Sequence, residues 1–474
     1  MIVVKFGGTS LAGTERMRAA ARIVAAHRRD QSVVCVVSAV AGVTDALITT
    51  TEQAMRSDTA WQATVAEIST RHQDTLDELT RITGTAPTIT SRFATAQAAL
   101  AADIQRMLAT PFATEEAQAH AVAAYSGWGE RLAALLFAQA LAGEGVDAAP
   151  FAGEPVALVA HPGLAASASI GDMGEPRRHQ RPDRSAALLA PSVAATRELL
   201  APHVGDWRAA ELVPVLPGYL GRTRDGLVTT LGRNGSDYSA AVIAAALHAE
   251  AVYLYSTVAG VNRADPHVVP EADVLPALTY ADAAEAAALG ARVLHPATLR
   301  PLAAARIPLR LRNTLSPDDA GTDVGGVGHF LAADLESSGW VVTARTLPSE
   351  RALRETQPAG DLGLVEVTGL FFRHAEWEAR EDDHLCATAD EPSENGGNSM
   401  GGGNDGPVSG ALALLTAPPL PVSLAVSARR ISVTVPAAES AATQRRLYRA
   451  LAHAEARAGH YRAVTPPTER RRTS

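Results

Sequence analysis

Cysteine is nearly missing from this 474-residue chain, which has two, Cys35 and Cys386. They lie far apart in dissimilar contexts, so nothing points to a disulfide framework. Aromatic residues make up only 4% of the chain, and no basic patch interleaves them. That removes the stacking-plus-charge pattern of a nucleic-acid binder. Positive charge is also in deficit: the net charge is −9, which argues against a nucleic-acid or anionic-membrane partner. No apolar run approaches the ~20 residues of a membrane span. The apolar start ends after three residues at Lys5, too soon for a signal peptide, so the cytoplasm is the expected location. The scarcest residue of all is lysine. Of 42 Lys and Arg residues, Lys5 is the only lysine.

What the chain does have is 47% hydrophobic and 20% charged residues, the balance of an ordinary protein with material for a sizeable core. Its length suits two or three domains of about 150 residues each. Texture changes near residue 325. Before it, apolar strands (2–6, 32–38, 212–215, 252–255, 309–311) alternate with amphipathic helical segments (15–27, 44–56, 116–143, 236–248, 281–289, 297–305), the pattern of an α/β domain. Cys35 falls in the second of these strands and is expected to be buried. Residues 172–187 are too charged and proline-broken to pack and are expected to form a loop or lid. Residues 390–410, rich in Gly and Asn, are expected to be a disordered insertion, and the Pro- and Arg-rich tail at 462–474 is expected to be disordered too. His384 and Cys386 could both ligate a metal, but no partner pair is evident elsewhere. No internal repeat is found.

Lys5 sits in Met1-Ile-Val-Val-Lys-Phe-Gly-Gly-Thr-Ser10, a short β-branched strand, a Gly-Gly turn and a hydroxyl pair. This is the wiring of a phosphate site. Glycine lets backbone N–H groups approach an anion closely, and an ammonium adds a compact charge that a planar guanidinium does not reproduce. A second strand-turn-helix segment, Ser38-Ala-Val-Ala-Gly-Val-Thr44, offers hydroxyls at a helix start, where an anion is favoured. A third, Thr229-Thr-Leu-Gly-Arg-Asn-Gly-Ser-Asp-Tyr238, packs Arg233, Ser236 and Asp237 around two glycines. Arg233 there suits bidentate capture of a carboxylate. Asp237 could cap the following helix, or orient Lys5 or a substrate group. Glu130, in Gly127-Trp-Gly-Glu-Arg-Leu132, could pair with an ammonium, although the residues alone favour a solvated helix-face glutamate.

Together these segments resemble the aspartokinase branch of the amino acid kinase family. The opening KFGGTS and the stretch VTTLGRNGSDYSAAVIAAAL carry the resemblance, the latter being similar to the kinase portion of bifunctional aspartokinase–homoserine dehydrogenases. GVNRADPHVVPEADVLPALTYADAAEAAALGARVLHPATLRPL and IPLRLRNTLSPDDAGTDV extend it across residues 1–324. The resemblance implies a three-layer αβα sandwich on a mainly parallel sheet, forming a catalytic domain at 1–324. A degenerate ACT-like α+β region is expected at 325–461, with strands in 362–369 and 420–436 and a helix at 438–458.

The implied activity is ATP-dependent phosphorylation of L-aspartate to L-aspartyl-4-phosphate. Lys5 would neutralise the transferring phosphoryl group, with Gly7, Gly8 and Thr9 beside it, and Asp237 would organise that lysine. Ser38, Thr44, Glu130, Tyr219, Arg233 and Ser236 would hold aspartate: Glu130 its α-ammonium, Arg233 a carboxylate. The nucleotide would be held by Ser256, Thr257, Asn262, His267 and Arg292. Thr257 and Asn262 stand where relatives commonly carry an acid and an aromatic. Mg²⁺ is expected mainly on the nucleotide phosphates, with no metal site in the protein itself, and a homodimer is compatible with the sequence. Two other functions stay open at this point: a pseudokinase with a decayed nucleotide site, motivated by Thr257, and a kinase for a related amino acid. Because parts of only one ACT-like copy are visible, little inhibition by lysine or threonine is expected.

Overall fold

The computed structural model describes residues 1–56, 58–84, 87–109, 114–151, 159–161, 190–223, 225–232, 234–288, 294–325, 340–347, 362–369, 423–427, 430–436 and 440–457. Residues 172–187 and 390–410, the tail, and the His384–Cys386 pair lie outside them. The chain begins with β1 (Ile2–Phe6), α1 (Thr14–Arg28), β2 (Val33–Val37) and α2 (Val43–Met55). Helices α3 (Trp61–Thr83), α4 (Pro87–Ala109), α5 (Glu115–Ser126) and α6 (Trp128–Gly143) follow. Then come β3 (Ala148–Pro150), β4 (Val159–His161), β5 (Ala190–Ser192), α7 (Val193–Ala209), β6 (Val213–Pro217), β7 (Leu220–Arg222) and β8 (Val228–Thr230). Next are α8 (Gly235–Leu247), β9 (Val252–Ser256), β10 (Ala277–Thr279), α9 (Tyr280–Ala288), α10 (Pro296–Ala305), β11 (Leu309–Asn313) and β12 (Thr322–Gly325). Beyond them lie β13 (Trp340–Leu347), β14 (Leu362–Gly369), β15 (Ser423–Ser427), β16 (Arg430–Pro436) and α11 (Ser440–Arg457).

Contacts group the chain into two units, Met1–Ala259 with Ala297–Asp319, and Gly260–Pro296 with Ala320–Ser474. In the first unit β11-β9-β1-β2-β6-β3 form a parallel sheet. β1 and β2 are buried at every position, as strands of a parallel sheet covered on both faces must be. Side chains alternate in direction along a strand. Ile2, Val4 and Phe6 join Val33, Cys35 and Val37 in the core that α1 and α6 complete. Val3 and Lys5 point to the other face, where α8 packs on β1. The chain leaves β1 toward β2 on one side and returns to its other side as β9. Such a reversal opens a crevice at the carboxyl ends of the strands, the place where ligands bind in open α/β sheets.

The expected helix at 116–143 is two helices, broken at Gly127. A Cβ built there would meet Leu220 Cδ2 at 2.3 Å, so the helical axis yields to the packing of β7. α6 is buried from Trp128 to Leu141, an apolar helix with no wet face.

In the second unit, β13-β14-β16-β15 make an antiparallel sheet, and α11 packs on β13, β14 and β16. This α+β region holds one strand that sequence reasoning missed, β13, which pairs along its whole length with β14.

Candidate active site

The carboxyl ends of four adjacent strands, β9, β1, β2 and β6, deliver most of the expected site within the first unit. Lys5 is the penultimate residue of β1. Its Nζ lies 2.5 Å from Asp237 Oδ1, and both side chains are largely buried. Asp237 does not cap α8; Asn234, with left-handed φ of 59°, occupies that position. The aspartate sits in the first turn instead, turned to the lysine. Of the two readings open for Asp237, this geometry supports the orienting one.

The two glycines after Lys5 do different work. Gly7 donates its N–H to the carbonyl of Tyr255 at 3.1 Å, so it is unavailable to an anion, contrary to the expectation for that amide. Gly8 N–H has no hydrogen-bond partner among the described residues. Gly8 is also the residue that lets two turns meet. A Cβ on it would stand 2.5 Å from Ala39 O, and its carbonyl accepts from Ala41 N–H at 3.2 Å. The Lys5 turn and the Ser38–Thr44 turn are thereby one body. Two arginines brace it from outside: Arg16 donates to Thr9 O at 2.8 Å, and Arg71 to Ala41 O at 3.1 Å. Neither was foreseen, because nothing local marks an arginine that serves a turn belonging to another element.

Ser38 and Ser236 approach each other, Oγ to Oγ at 3.4 Å. Gly218 permits this, since a Cβ there would meet Ser236 Cβ at 2.7 Å. The next residue, Tyr219, is buried and holds φ of 66°, a conformation that is an outlier for a bulky side chain. It is held from both ends. Its N–H donates to Ser239 Oγ at 3.0 Å, and its carbonyl accepts from Leu231 N–H at 2.8 Å. Ser239, fully buried, donates in turn to Gly235 O at 2.8 Å. Ser239 was missed, reading as one more small residue of an alanine-rich helix.

Glu130 overturns the reading that its sequence context favoured. It is 1% exposed in the first turn of α6. Thr44 donates to its Oε1 at 3.4 Å, while Oε2 has no partner among the described residues. Burial pushes its pKa up to about 8, opposed more weakly by backbone hydrogen bonding, the Thr44 hydroxyl and Arg131. Gly129 brings it there: a Cβ at 129 would stand 2.8 Å from Ala39 Cβ, so α6 starts directly against the Ser38–Thr44 turn. A buried carboxylate with an open oxygen is costly unless a cation joins it. Held neutral by burial, the carboxyl becomes a partner for a cationic ligand once it gives up its proton.

On the far side of Lys5, Thr257 donates to Thr9 Oγ1 at 3.5 Å, and Ser256 ends β9 beside it. Asn262 and His267 belong to the second unit. Asn262 bridges to Val274 in a short antiparallel ribbon, and the His267 N–H donates to Asp265 Oδ1 at 2.9 Å. Arg233 and Arg292 lie outside the described residues. Among the described residues, no group of three or more His, Cys, Asp or Glu side chains is arranged to hold a metal, and no helix is long and apolar enough to cross a membrane.

The profile of the Amino acid kinase family matches residues 1–313. Lysine-sensitive aspartokinase 3 of Escherichia coli is 30% identical over 386 residues, covering 79% of this chain and 74% of that protein. Aspartokinase 2, chloroplastic, of Arabidopsis thaliana is 44% identical over a shorter stretch of 120 residues, 25% of this chain and 22% of that protein. In three dimensions, E. coli aspartokinase III, solved in complex with aspartate and ADP, superposes with a TM-score of 0.66 at 21% identity, covering 95% of this chain and 99% of that one. At that identity the superposition speaks for the fold, a mainly parallel α/β sandwich. The family match across two-thirds of the sequence and the extended identity to the E. coli enzyme settle descent: the chain belongs to the amino acid kinase family, among the aspartokinases.

Proposed function

We propose that this chain transfers the γ-phosphoryl group of ATP to the side-chain carboxylate of L-aspartate, giving L-aspartyl-4-phosphate and ADP. The observation that carries the reading is Glu130, a buried carboxylate with an open oxygen. The α-ammonium of an amino acid is the cation that suits it. Ser38, Thr44 and Ser236 line the same place with hydroxyls, Tyr219 walls it, and Arg233 takes a substrate carboxylate. Lys5, held by Asp237, neutralises charge on the transferring phosphoryl group, and the Gly8 and Thr9 turn faces the phosphates. Ser256, Thr257, Asn262, His267 and Arg292 are assigned to the nucleotide.

The reaction needs no general base. The attacking oxygen is already a carboxylate; an O–P bond forms to it while the bond from the γ-phosphorus to the β-phosphate oxygen breaks. ADP carries away the electron pair. Positioning and charge neutralisation then supply most of the acceleration. Mg²⁺ suits this donor set only as a passenger on the nucleotide. Among the described residues, Asp237 is the acidic side chain paired with Lys5, and one of its oxygens is taken by Nζ. Mg²⁺ usually keeps several waters and binds through phosphates plus one or two carboxylates, and when bound it would offset phosphate charge. A cytoplasmic location and a homodimer belong to the same reading.

The test is ATP consumption with hydroxylamine present to trap the acyl phosphate, across a panel of amino acids. L-Aspartate should give hydroxamate in step with ADP. Turnover with another amino acid and none with aspartate would assign the site to a different acceptor. No turnover with any would remove the kinase reading.

A further inference from the structure

Tyr448 of α11 is 4% exposed, and its hydroxyl bonds outside α11. It reaches into the segment 260–275 of the same unit. There it accepts from Asp273 N–H at 3.2 Å and donates to Glu271 O at 2.9 Å. The next residue, Arg449, donates from Nε to the Glu271 carboxylate at 2.9 Å. That segment is a ribbon folded back on itself. Arg263 N–H donates to Asp273 O at 2.9 Å, Leu275 N–H to Val261 O at 2.8 Å, and Asn262 bridges to Val274. Its base is fixed by Thr322, whose hydroxyl accepts from Val261 N–H at 2.9 Å and donates to Leu275 O at 2.6 Å. Toward the tip, where His267 stands exposed, the loop closes on Asp265 through Val268 N–H and Val269 N–H.

The Tyr448 hydroxyl thus bonds the returning strand of this ribbon at two backbone groups, the Glu271 carbonyl and the Asp273 amide. Asp273 is gripped on both sides, by Arg263 through its carbonyl and by Tyr448 through its amide. Asn262 and Val274 are the next rung.

We propose that Tyr448 is a positioning residue for the nucleotide. By closing the Glu271–Asp273 backbone it fixes the ribbon that carries Asn262 and His267, so the C-terminal sheet and α11 act on ATP affinity and leave aspartate affinity alone. This rests on the assignment of Asn262 and His267 to the nucleotide. The C-terminal region, whose described residues form one ACT-like sheet, then keeps a task that requires no amino-acid effector.

The experiment uses the full chain and the conservative change Tyr448→Phe, which keeps the buried ring and removes only the hydroxyl. The KM for ATP should rise about fivefold to tenfold, with the aspartate KM and kcat within about twofold of wild type. Amide hydrogen exchange at Asp273 should quicken. Arg449→Ala, a change on an exposed side chain that cannot unfold the region, should move the ATP KM the same way by about twofold. Asn262→Ala and His267→Ala test the underlying assignment. If neither raises the ATP KM, the nucleotide reading of the ribbon fails and the proposal with it. If they raise it while Tyr448→Phe does not, the assignment stands and the positioning role is overturned. A Tyr448→Phe variant that raises both KM values together, with a lowered melting temperature, would show a merely structural hydroxyl and also overturn it.

Discussion

Glu130 gives the most quantitative handle on the site. With its pKa raised to about 8 by burial, about nine sites in ten are protonated at pH 7 in the free protein. An ammonium ligand needs the carboxylate ionised, so binding must expel that proton. Ionising the site beforehand costs about tenfold in affinity at pH 7, about 1.4 kcal/mol. Two results follow for wild type. The Kd for aspartate should fall about tenfold per pH unit as pH rises toward 8 and then level off. Calorimetry at pH 7 in two buffers of different ionisation enthalpy should report release of about nine-tenths of a proton per aspartate bound. In Glu130→Gln the pH slope and the buffer dependence should vanish, with Kd at pH 8 at least about tenfold weaker. The sign for stability is also fixed. A carboxyl whose folded-state pKa lies above its ordinary value of 4.5 stabilises the fold while protonated, and loses that contribution as pH rises from its ordinary value toward 8. Aspartate should therefore raise the melting temperature more at pH 8 than at pH 6. A pH-flat Kd in wild type, with equal heats in both buffers, would refute the reasoning.

Three further outcomes are expected. Lys5→Ala should lower kcat by about 10²- to 10³-fold, and Lys5→Arg should restore little of it, because a planar fork does not fit the 2.5 Å seat on Asp237; near-normal turnover in the arginine variant would remove the role given to Lys5. Gly8→Ala, whose Cβ must push Ala39 O away, should lose about 1–3 kcal/mol of stability and at least tenfold in kcat/KM, whereas Gly7→Ala, with nothing nearer than 3.7 Å, should melt like wild type; differential scanning calorimetry separates the two. Ser239→Ala leaves the Tyr219 amide buried and unpaired at a cost of about 1–3 kcal/mol, so the melting temperature should drop and the aspartate KM rise, and an unchanged aspartate KM would mean that the Tyr219 turn does not shape the substrate site.

Much of the catalytic layer was legible in the sequence because parallel strands buried on both faces leave continuous apolar runs, and β1 and β2 are such runs. The Lys5 turn was legible for chemical reasons, since glycine pairs beside a lone ammonium have few other uses. α3 was not foreseen. Only the stripe Val65, Ile68, His72, Leu76 and Leu79 is buried in it, so most of its surface reads as polar linker. Glu130 was placed by resemblance and misjudged by its own context, although a signal was available: α6 has no polar face on which a solvated glutamate could sit. Arg16, Arg71, Ser239 and Tyr448 were out of reach. Each acts on a backbone group outside its own helix, seven residues away for Arg16 and twenty or more for the others, and composition and periodicity carry no trace of such a contact. The grouping of residues 260–296 with those from 320 onward is likewise a matter of tertiary contacts, while the texture of the sequence changes only near 325.

The solitary lysine has a practical consequence. Every other cationic side chain in the protein is a guanidinium or an imidazole, so amine-directed acylation finds one side-chain target, and that target is buried against the Asp237 carboxylate at the carboxyl end of β1. Lysines elsewhere, which in most proteins swamp such a measurement, contribute no background, and the Met1 α-amine, paired with Glu250, is the other amine to account for. Label located on Lys5 itself by fragmentation, apart from label on the Met1 α-amine, becomes a direct count of molecules whose crevice is open, and ligands that close it can be ranked by the labelling they prevent.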